Sequence, residues 1–206
     1  MSNQELEYKE NIIPMSRQEL LEILRNHLRE ARFQHVQRVE STAIELAKQN
    51  NVNVEKASIA GLIHDYAKQR PDTDFKMVII KKKMDPELLK YGNAIWHGIV
   101  GAEMIKDELH VWDEDILNAV RHHTTGAALM SPLEQVIYMA DYIEPGRQFD
   151  GVDKARKVTK ASLTDGVAFQ TKQTLQYLIE NDRLVYPKTI ETYNAWVAGH
   201  GGKDGK

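Results

Sequence analysis

Helix-start signals recur along almost the whole of this 206-residue chain and leave little room for strands. Ser16 followed by Glu19 has the spacing of a capping box, and Ser131, Pro132 and Glu134 stand in the order of an N-cap, a first-turn proline and an N3 acid. No segment alternates apolar and polar residues with hairpin turns between the runs. Glycine and proline, at 12 and 6 residues, are few for this length. The pattern predicts an all-α protein.

The predicted helices cover most of the chain between short turns. They span residues 16–28, 32–48, 53–64, 74–83, 86–91, 93–109, 113–125, 131–143, 162–179 and 187–197. No internal repeat or linker-like stretch divides them, and the length suits one compact domain. We therefore expect a bundle of about nine or ten helices over residues 16–198, with an N-terminal extension, 1–15, and a flexible Gly/Lys-rich tail, 199–206.

The charge balance and the N-terminus restrict the partners of the chain. There are 27 Lys and Arg residues against 30 Asp and Glu, a net charge of −3, and no long basic stripe. This balance argues against a protein that coats nucleic acid. No basic segment followed by an apolar one opens the chain, and no run approaches the roughly 18 apolar residues of a membrane span. We expect a cytoplasmic protein with no membrane or nucleic-acid partner.

Cysteine is absent, whereas histidine occurs eight times. The absence of cysteine excludes disulfides, thiolate zinc sites, iron–sulfur clusters and cysteine nucleophiles. Any transition metal must therefore be held by imidazole and carboxylate groups. Six such residues lie on predicted helices or at their ends among apolar neighbours: His35, His64, Asp65, His97, His123 and Asp141.

Helices that converge in a bundle can direct these six side chains to one point, and six ligands suffice for two ions. Adjacent residues on a helix point about 100° apart, so we do not expect His64 and Asp65 to chelate one ion from mid-helix. At a helix end, however, Asp65 can bridge two metals while His64 binds one of them.

Five ordered strings carry a family resemblance over about residues 25–196. They are Arg32-Phe33-x-His35, His64-Asp65-Tyr66-Ala67-Lys68, His97-Gly98-x-Val100-Gly101-Ala102, His123-Thr124-Thr125-Gly126 and Ala140-Asp141-Tyr142-Ile143-Glu144-Pro145-Gly146-Arg147. The chain resembles the HD-domain superfamily of metal-dependent phosphohydrolases. Within it, the strings are most similar to the bacterial symmetrical dinucleoside-tetraphosphatases, which cleave diadenosine tetraphosphate into two ADP. The resemblance implies a single HD-domain helical bundle and a small nucleotide as substrate.

The resemblance also implies a divalent di-metal centre, usually iron. His35, His64, Asp65 and Asp141 would surround one ion, and Asp65, His97 and His123 the other. Two adjacent cations suit the reaction, because they lower the pKa of a water molecule and neutralise charge on the attacked phosphoryl group. The hydroxide would attack an inner phosphorus atom, and a nucleoside diphosphate would leave. The ligand types also permit manganese, cobalt, nickel or zinc.

Four further residues are expected to contact the phosphates. Lys68 follows Asp65 by three residues and can donate to a phosphate oxygen or to the leaving group, and Arg147 offers a planar fork that matches phosphate. Thr124 and Thr125 can add hydroxyl contacts. We therefore expect Asp65, Lys68 and Arg147 to be catalytic and Lys68, Thr124, Thr125 and Arg147 to bind substrate.

One position departs from the family pattern. His122 precedes His123, where relatives commonly have Tyr or another large side chain. Two adjacent histidines on a helix cannot face the same point, so we assign the ligand to His123, which begins the His-Thr-Thr-Gly string.

Other residues are given ordinary structural interpretations. Three histidines lack matching context and are expected to be surface or capping residues: His27, His110 and His200. The run 81–83 of three lysines is interpreted as a solvated helix face rather than a phosphate or RNA site. The tryptophans are expected in the core rather than stacked on a base: Trp96, Trp112 and Trp196.

Two other functions compete with the tetraphosphatase hypothesis. One is an HD phosphohydrolase of another nucleotide, such as a deoxynucleoside triphosphate, a guanosine alarmone or a cyclic dinucleotide. The other is a metal-containing nucleotide-binding module without catalysis, against which the joint presence of the ligand set, Lys68 and Arg147 argues. A homodimer is compatible with the sequence.

Overall fold

A computed structural model describes residues 6–198, and it is all-α over that range, with no strands. The helices are α1 (Arg17–His27), α2 (Glu30–Gln49), α3 (Val54–Ile63), α4 (Asp72–Lys81), α5 (Asn93–Leu109), α6 (Glu114–His122), α7 (Pro132–Ile143), α8 (Val152–Ala161), α9 (Leu163–Glu180) and α10 (Pro187–Tyr193). A short 3₁₀ helix, Pro86–Lys90, precedes α5, and one π-helical turn, Asn194–Ala198, follows α10. The all-α prediction is confirmed. The predicted tail lies outside the described residues.

The local start signals work as the sequence indicates. Ser16 and Ser131 each form a complete capping box, with Glu19 and Glu134 respectively. The Asn53 side chain accepts a hydrogen bond from the Lys56 amide at the start of α3. Each of these bonds satisfies an amide that the first helical turn leaves without a partner. The capping contacts therefore account for where these three helices begin.

Helix α8 is an element that the sequence did not predict. It begins after Gly151, whose φ of 94° is left-handed, and no side chain caps its first turn. The polar side chain that usually caps a helix start is therefore missing, so the sequence predicts no helix between residues 147 and 161. The segment 86–91 is a 3₁₀ helix, and the last predicted helix changes to a π turn after Tyr193.

The main core is formed by α2, α3, α6 and α7, which pack on one another. Phe33, Leu62, Val120 and Met139 are fully or almost fully buried there. Helices α8 and α9 cover α7, and α5 packs against α6. This arrangement brings the helices that carry the six candidate ligands to the centre of the bundle.

A second apolar cluster lies between α4, the 3₁₀ helix and α5. Trp96 is buried in this cluster near Phe75, as expected for a core tryptophan. Trp196 is partly buried and donates to the Ala127 carbonyl at 2.8 Å. The prediction for Trp112 was wrong, because its side chain is 61% exposed and the Lys106 ammonium lies 5.4 Å from the ring centre.

The described part of the N-terminal extension packs on the bundle. Ile13 is buried in the main core, and the Tyr8 hydroxyl lies 2.9 Å from Ser58 Oγ. The carboxylate of Glu55 accepts hydrogen bonds from the backbone amides of Lys9, at 2.8 Å, and Glu10, at 3.2 Å. Residues 8–13 are therefore tied to α3 by polar bonds and to the core by an apolar side chain.

Within residues 6–198, no helix combines the length and the apolar composition required to cross a membrane.

Candidate metal centre

The six candidate ligands come from five helices and meet at one place. His35 lies in α2, His97 in α5 and Asp141 in α7, while His64 and His123 are the C-cap residues that directly follow α3 and α6. Asp65 follows directly after His64. All of them are buried except Asp141, which is partly exposed. The bundle therefore removes these polar groups from water and places them together.

The two oxygens of Asp65 face different histidines. Asp65 Oδ2 lies 3.6 Å from His35 Nε2 and 3.5 Å from His64 Nε2. Asp65 Oδ1 lies 3.4 Å from His97 Nε2 and 3.8 Å from His123 Nε2. The carboxylate thus stands between two pairs of imidazole nitrogens, which is the arrangement of a group that can bridge two cations.

Asp141 belongs to the pair on the Oδ2 side. Its Oδ1 lies 3.1 Å from His35 Nε2 and 3.8 Å from His64 Nε2. Two sets of ligand atoms are close enough to hold one cation each: His35, His64 and Asp141, and His64, Asp65 and His123. The atoms in each set lie within 4.8 Å of one another. His64 is common to both sets.

The opposite nitrogen of every histidine is held by an acceptor. Nδ1 of His64, His97 and His123 donates to the backbone carbonyls of residues 61, 93 and 120 at 2.8, 2.7 and 2.7 Å respectively. Nδ1 of His35 donates to Glu144 Oε1 at 3.1 Å. In a neutral imidazole, a proton on Nδ1 leaves Nε2 unprotonated, so its lone pair can bind a cation. The hydrogen bond from Nδ1 also fixes the orientation of the ring.

Buried polar atoms without a partner test whether this set fits a metal. Nε2 of His35 and Nε2 of His64 are both buried and form no hydrogen bond with the described residues. Such atoms are costly unless something occupies the space between them. Imidazole nitrogen and carboxylate oxygen are a donor set for divalent transition metals. The residues therefore fit such ions.

For three candidate ligands, Asp65, His97 and His123, the surroundings favour the protonation state that binds a metal. Burial alone would raise the pKa of Asp65, but the imidazoles of His64 and His97 hold this pKa well below its usual value. Burial lowers the pKa of His123 to about 4, and the pKa of His97 is lowered well below its usual value by burial and by His123. An ionised carboxylate and neutral imidazoles are the forms that bind metal. For His64 burial opposes protonation, yet Asp65 raises its pKa overall.

Glu144 forms the support behind His35. Besides accepting from His35, its carboxylate accepts from Arg38 Nε at 2.6 Å and from the Gly146 backbone amide. Burial would raise the pKa of Glu144, but these hydrogen bonds lower it, so the group is ionised. In the sequence, Glu144 belongs to the string around Asp141, but that string indicates only that Glu144 follows a predicted helix, not that it contacts His35.

A cavity of about 270 Å³ opens beside the centre. It is lined by Arg32, Asp65, Lys68, His97, His123, Thr124, Asp141, Tyr142, Arg147, Gln170 and Thr174. Three of the lining residues are cations: Arg32, Lys68 and Arg147. The space therefore joins buried carboxylates and imidazoles to a cluster of positive charge, which suits an anionic ligand.

The predicted phosphate contacts are distributed around this cavity. Lys68 Nζ lies 3.2 Å from His97 Nε2, and burial lowers the pKa of Lys68. The Arg147 guanidinium donates through Nη2 to the Asp141 carboxylate and through Nε, at 2.8 Å, to the Asp141 backbone carbonyl. Thr124 Oγ1 lies 3.1 Å from His97 Nε2. The structure brings these three residues to the candidate ligands.

Thr125 is turned away from the cavity. Its side chain is buried, and its hydroxyl donates to the Gly126 carbonyl at 3.0 Å. Thr125 does not line the cavity, because successive residues after α6 point in different directions. We therefore remove it from the expected substrate contacts.

The two adjacent histidines separate as expected. His123 faces Asp65, whereas His122 contacts Glu134 through Nδ1.

The remaining described histidines and the lysine run lie away from the centre. His27 stacks on Tyr66 with ring centres 4.2 Å apart, and His110, the C-cap of α5, has a left-handed backbone conformation. His200 lies outside the described residues. In the run of lysines, Lys82 pairs with Asp107 at 2.6 Å, on a surface that does not line the cavity.

Several cavity residues were missed as site residues by sequence reasoning. Arg32 donates to Asp65 Oδ2 at 2.6 Å, and its place in the first family string was the available signal. Tyr142 follows Asp141 directly. Gln170 and Thr174 lie on α9, within no recognised string, so only the packing of α9 against α7 reveals them.

Comparisons with known proteins give a consistent family. The HD domain family model matches residues 32–146, more than half of the chain. A Bacillus subtilis protein named symmetrical bis(5'-nucleosyl)-tetraphosphatase is 43% identical over 185 residues, covering 90% of this chain and 100% of the relative. A protein of the same name from Halalkalibacterium halodurans is 40% identical over 180 residues, covering 87% and 96%.

A solved structure agrees with this family. An HD superfamily hydrolase from Clostridium acetobutylicum, described as involved in NAD metabolism, has a TM-score of 0.84 and 36% identity, covering 90% of this chain and 98% of that chain. The matched region of the family model contains all six converging residues, from His35 to Asp141. On the extent of the family match and the identity to these relatives, the chain belongs to the HD domain family.

Proposed function

We propose that this protein is a divalent-metal-dependent hydrolase that cleaves diadenosine tetraphosphate and related dinucleoside tetraphosphates symmetrically into two nucleoside diphosphates. The observation that carries the proposal is the convergence of four imidazole Nε2 atoms on both oxygens of Asp65, beside a cavity with three cations. The names and full-length coverage of the relatives support the substrate and the position of cleavage.

Two groups of residues would hold the metal ions. We assign His35, His64, Asp65 and Asp141 to one ion, and Asp65, His97 and His123 to the other. The contacts of Asp65 Oδ2 and Oδ1 with separate imidazoles support this division. When bound, divalent cations activate water as a nucleophile and offset the negative charge that develops on the attacked phosphoryl group.

The chain's own cations would bind and orient the polyphosphate. Arg147 and Lys68 line the cavity, and their charges attract phosphate oxygens into it. Arg32, on the same wall as Asp65 Oδ2, adds a third cation. Thr124 offers a hydroxyl to a phosphate oxygen near His97. Lys68, which is partly buried, can also hold a proton for the oxygen of the departing diphosphate.

Three further expectations accompany this function. We expect iron as the resident metal, with manganese, cobalt, nickel and zinc as the alternatives that the ligand types permit. We also expect a cytoplasmic protein, and a homodimer is compatible with the sequence. Metal analysis after anaerobic purification and light scattering in solution test the metal and the dimer.

Product analysis tests the reaction. The purified, metal-loaded protein should convert diadenosine tetraphosphate to ADP alone. Formation of AMP and ATP would contradict symmetrical cleavage, and no turnover with any of the five metals would contradict the activity. Asp65→Ala should abolish both metal retention and hydrolysis, whereas Asp150→Ala, at an exposed position, should change neither.

The same assay separates the two competing functions. Faster turnover of a deoxynucleoside triphosphate, a guanosine alarmone or a cyclic dinucleotide than of diadenosine tetraphosphate would favour another HD phosphohydrolase. Tight nucleotide binding without turnover by the metal-loaded protein would favour a binding module. Unchanged hydrolysis in Asp65→Ala would refute the assigned centre.

A further inference from the structure

We propose that Gln170 of α9 is a specificity-determining residue whose side-chain amide receives a hydrogen bond from the nucleoside part of the substrate. This inference rests on the proposed function, because it names the portion of the nucleotide that one wall of the cavity recognises. It concerns a residue outside the ligand strings and outside the matched family region, which ends at residue 146.

The side-chain oxygen of Gln170 is buried without a hydrogen-bond partner among the described residues. The residue is 5% exposed, lines the cavity, and its Oε1 is a buried oxygen that accepts no hydrogen bond from the described residues. An unpaired buried amide oxygen destabilises the fold, so native proteins rarely keep one without a reason. Its position in the wall of the cavity indicates that a bound molecule supplies the missing donor.

The chemistry of the substrate limits which of its atoms can fill this role. An amide oxygen only accepts hydrogen bonds. The oxygens of the ionised polyphosphate also only accept, and so do not satisfy Gln170 Oε1. In a dinucleoside tetraphosphate the remaining donors are the ribose hydroxyls and the amino group of adenine. Gln170 Oε1 therefore faces the nucleoside rather than the phosphate chain.

The neighbouring side chains agree with a nucleoside at this wall. Thr174 follows Gln170 by one helical turn and lines the same cavity, so the α9 residues of the lining are both uncharged. Tyr142 also lines the cavity, and its ring lies 4.9 Å from that of Phe149. An aromatic face beside hydrogen-bonding groups suits a base, since bases stack favourably on aromatic rings. The cations come from other segments of the chain.

A comparison of ADP with analogues that each lack one hydrogen-bond donor identifies the group that Gln170 contacts. We would measure the dissociation constants of ADP, 2'-deoxy-ADP, 3'-deoxy-ADP and purine riboside diphosphate, which lacks the amino group, with the metal-loaded protein. In the wild type, removing the contacted donor should weaken binding roughly 10-fold, because the amide oxygen is again left unpaired. In Gln170→Met the same removal should have no effect.

A second readout distinguishes recognition from a structural role. Gln170→Met retains the side-chain length and removes a buried polar group that the nucleotide-free protein does not pair. We expect it to maintain or raise the melting temperature while weakening ADP binding roughly 10-fold. Gln176→Met is the matched control, because Gln176 lies on the exposed side of α9 and bonds Glu180. It should leave all four dissociation constants unchanged.

Several results would overturn the inference. Gln170→Met could weaken the binding of all four ligands equally, or weaken the binding of none of them. The third such result is that the wild-type protein does not bind ADP. None of these results depends on hydrolysis of diadenosine tetraphosphate, which is scored by its products. If ADP binding depended on Gln170 as expected but diadenosine tetraphosphate were not hydrolysed, the Gln170 contact would be supported and the proposed reaction would be refuted.

Discussion

The carboxylate of Glu144 shows how a single residue orients a side chain of the candidate metal centre. It is almost fully buried and holds the Nδ1 side of His35, while Arg38 and the Gly146 amide hold Glu144 itself. A histidine ligand supported in this way has a fixed tautomer and a more basic Nε2. Glu144 is thus a positioning residue, since it acts through His35.

We expect Glu144→Gln to weaken metal binding about 10- to 100-fold, the usual effect of losing such a support. The amide retains the shape but removes the charge, and its NH2 group must face a donor. Metal content after dialysis against a competing chelator measures the effect, and added metal should restore part of the activity. Glu191→Gln, at an exposed position, serves as control. Unaltered metal retention in Glu144→Gln would contradict the positioning role.

At the scale of elements, the approach of α5 to α6 determines where two ligands lie. A Cβ atom at Gly98 would lie 3.0 Å from the Val120 carbonyl oxygen and 3.4 Å from the His123 ring. Only a glycine therefore permits this distance between the helices without displacement. Gly98 directly follows His97, so the same contact positions both His97 and His123.

We expect Gly98→Ala to lower the free energy of unfolding by about 1–3 kcal/mol, because overpacking must push α6 or α5 aside. It should also reduce metal retention, since His97 and His123 move apart. Chemical denaturation and metal analysis measure the two effects. Gly92→Ser is the matched control on α5, because nothing lies within 4 Å of the Cβ position there and serine is a good N-cap. Equal stability of both variants would refute the close-approach argument.

The sequence predicted elements well wherever the start signal was local. Helix α5 has the predicted ends, and the capping boxes at Ser16 and Ser131 formed as expected. Helix α8 was missed because a left-handed glycine, rather than a capping side chain, precedes it. Its stability comes from packing against α7 and α9, which a local pattern does not encode.

At the scale of the whole molecule, the candidate metal centre connects several helices. The candidate ligands lie in α2, α5 and α7 or directly after α3 and α6, so ions bound to the folded protein alone would stabilise the entire bundle.

We expect removal of metal by a chelator to lower the melting temperature by about 5–10 °C, because occupancy at 100 times the dissociation constant contributes about 2.7 kcal/mol. Thermal denaturation before and after chelation measures the shift, and re-addition of metal should reverse it. The shift should vanish in Asp65→Ala. An identical melting temperature with and without metal would contradict binding at this centre.

The N-terminal segment contributes to the whole bundle as well. Deletion of residues 1–15 removes the buried Ile13 and leaves the nearly buried Glu55 without the amides of Lys9 and Glu10. We expect a loss of about 2–4 kcal/mol in the free energy of unfolding, measured in urea. Deletion of residues 1–5, which retains these contacts, is the control. Equal stability of the two truncated proteins would show that residues 6–15 are dispensable.

The sequence by itself determined the helices with local caps and the residue types of the candidate ligands. Caps are hydrogen bonds between residues three positions apart, and the absence of cysteine leaves only imidazole and carboxylate. Such properties do not depend on the rest of the fold.

Only the tertiary structure decided how these groups face one another. It separated the two oxygens of Asp65 between pairs of histidines and turned Thr125 away from the cavity. It also brought Gln170 of α9 to the same cavity as Asp65, more than a hundred positions earlier. Side-chain direction and contacts between distant helices follow from how the core packs, and a sequence pattern with a period of a few residues carries no information about them.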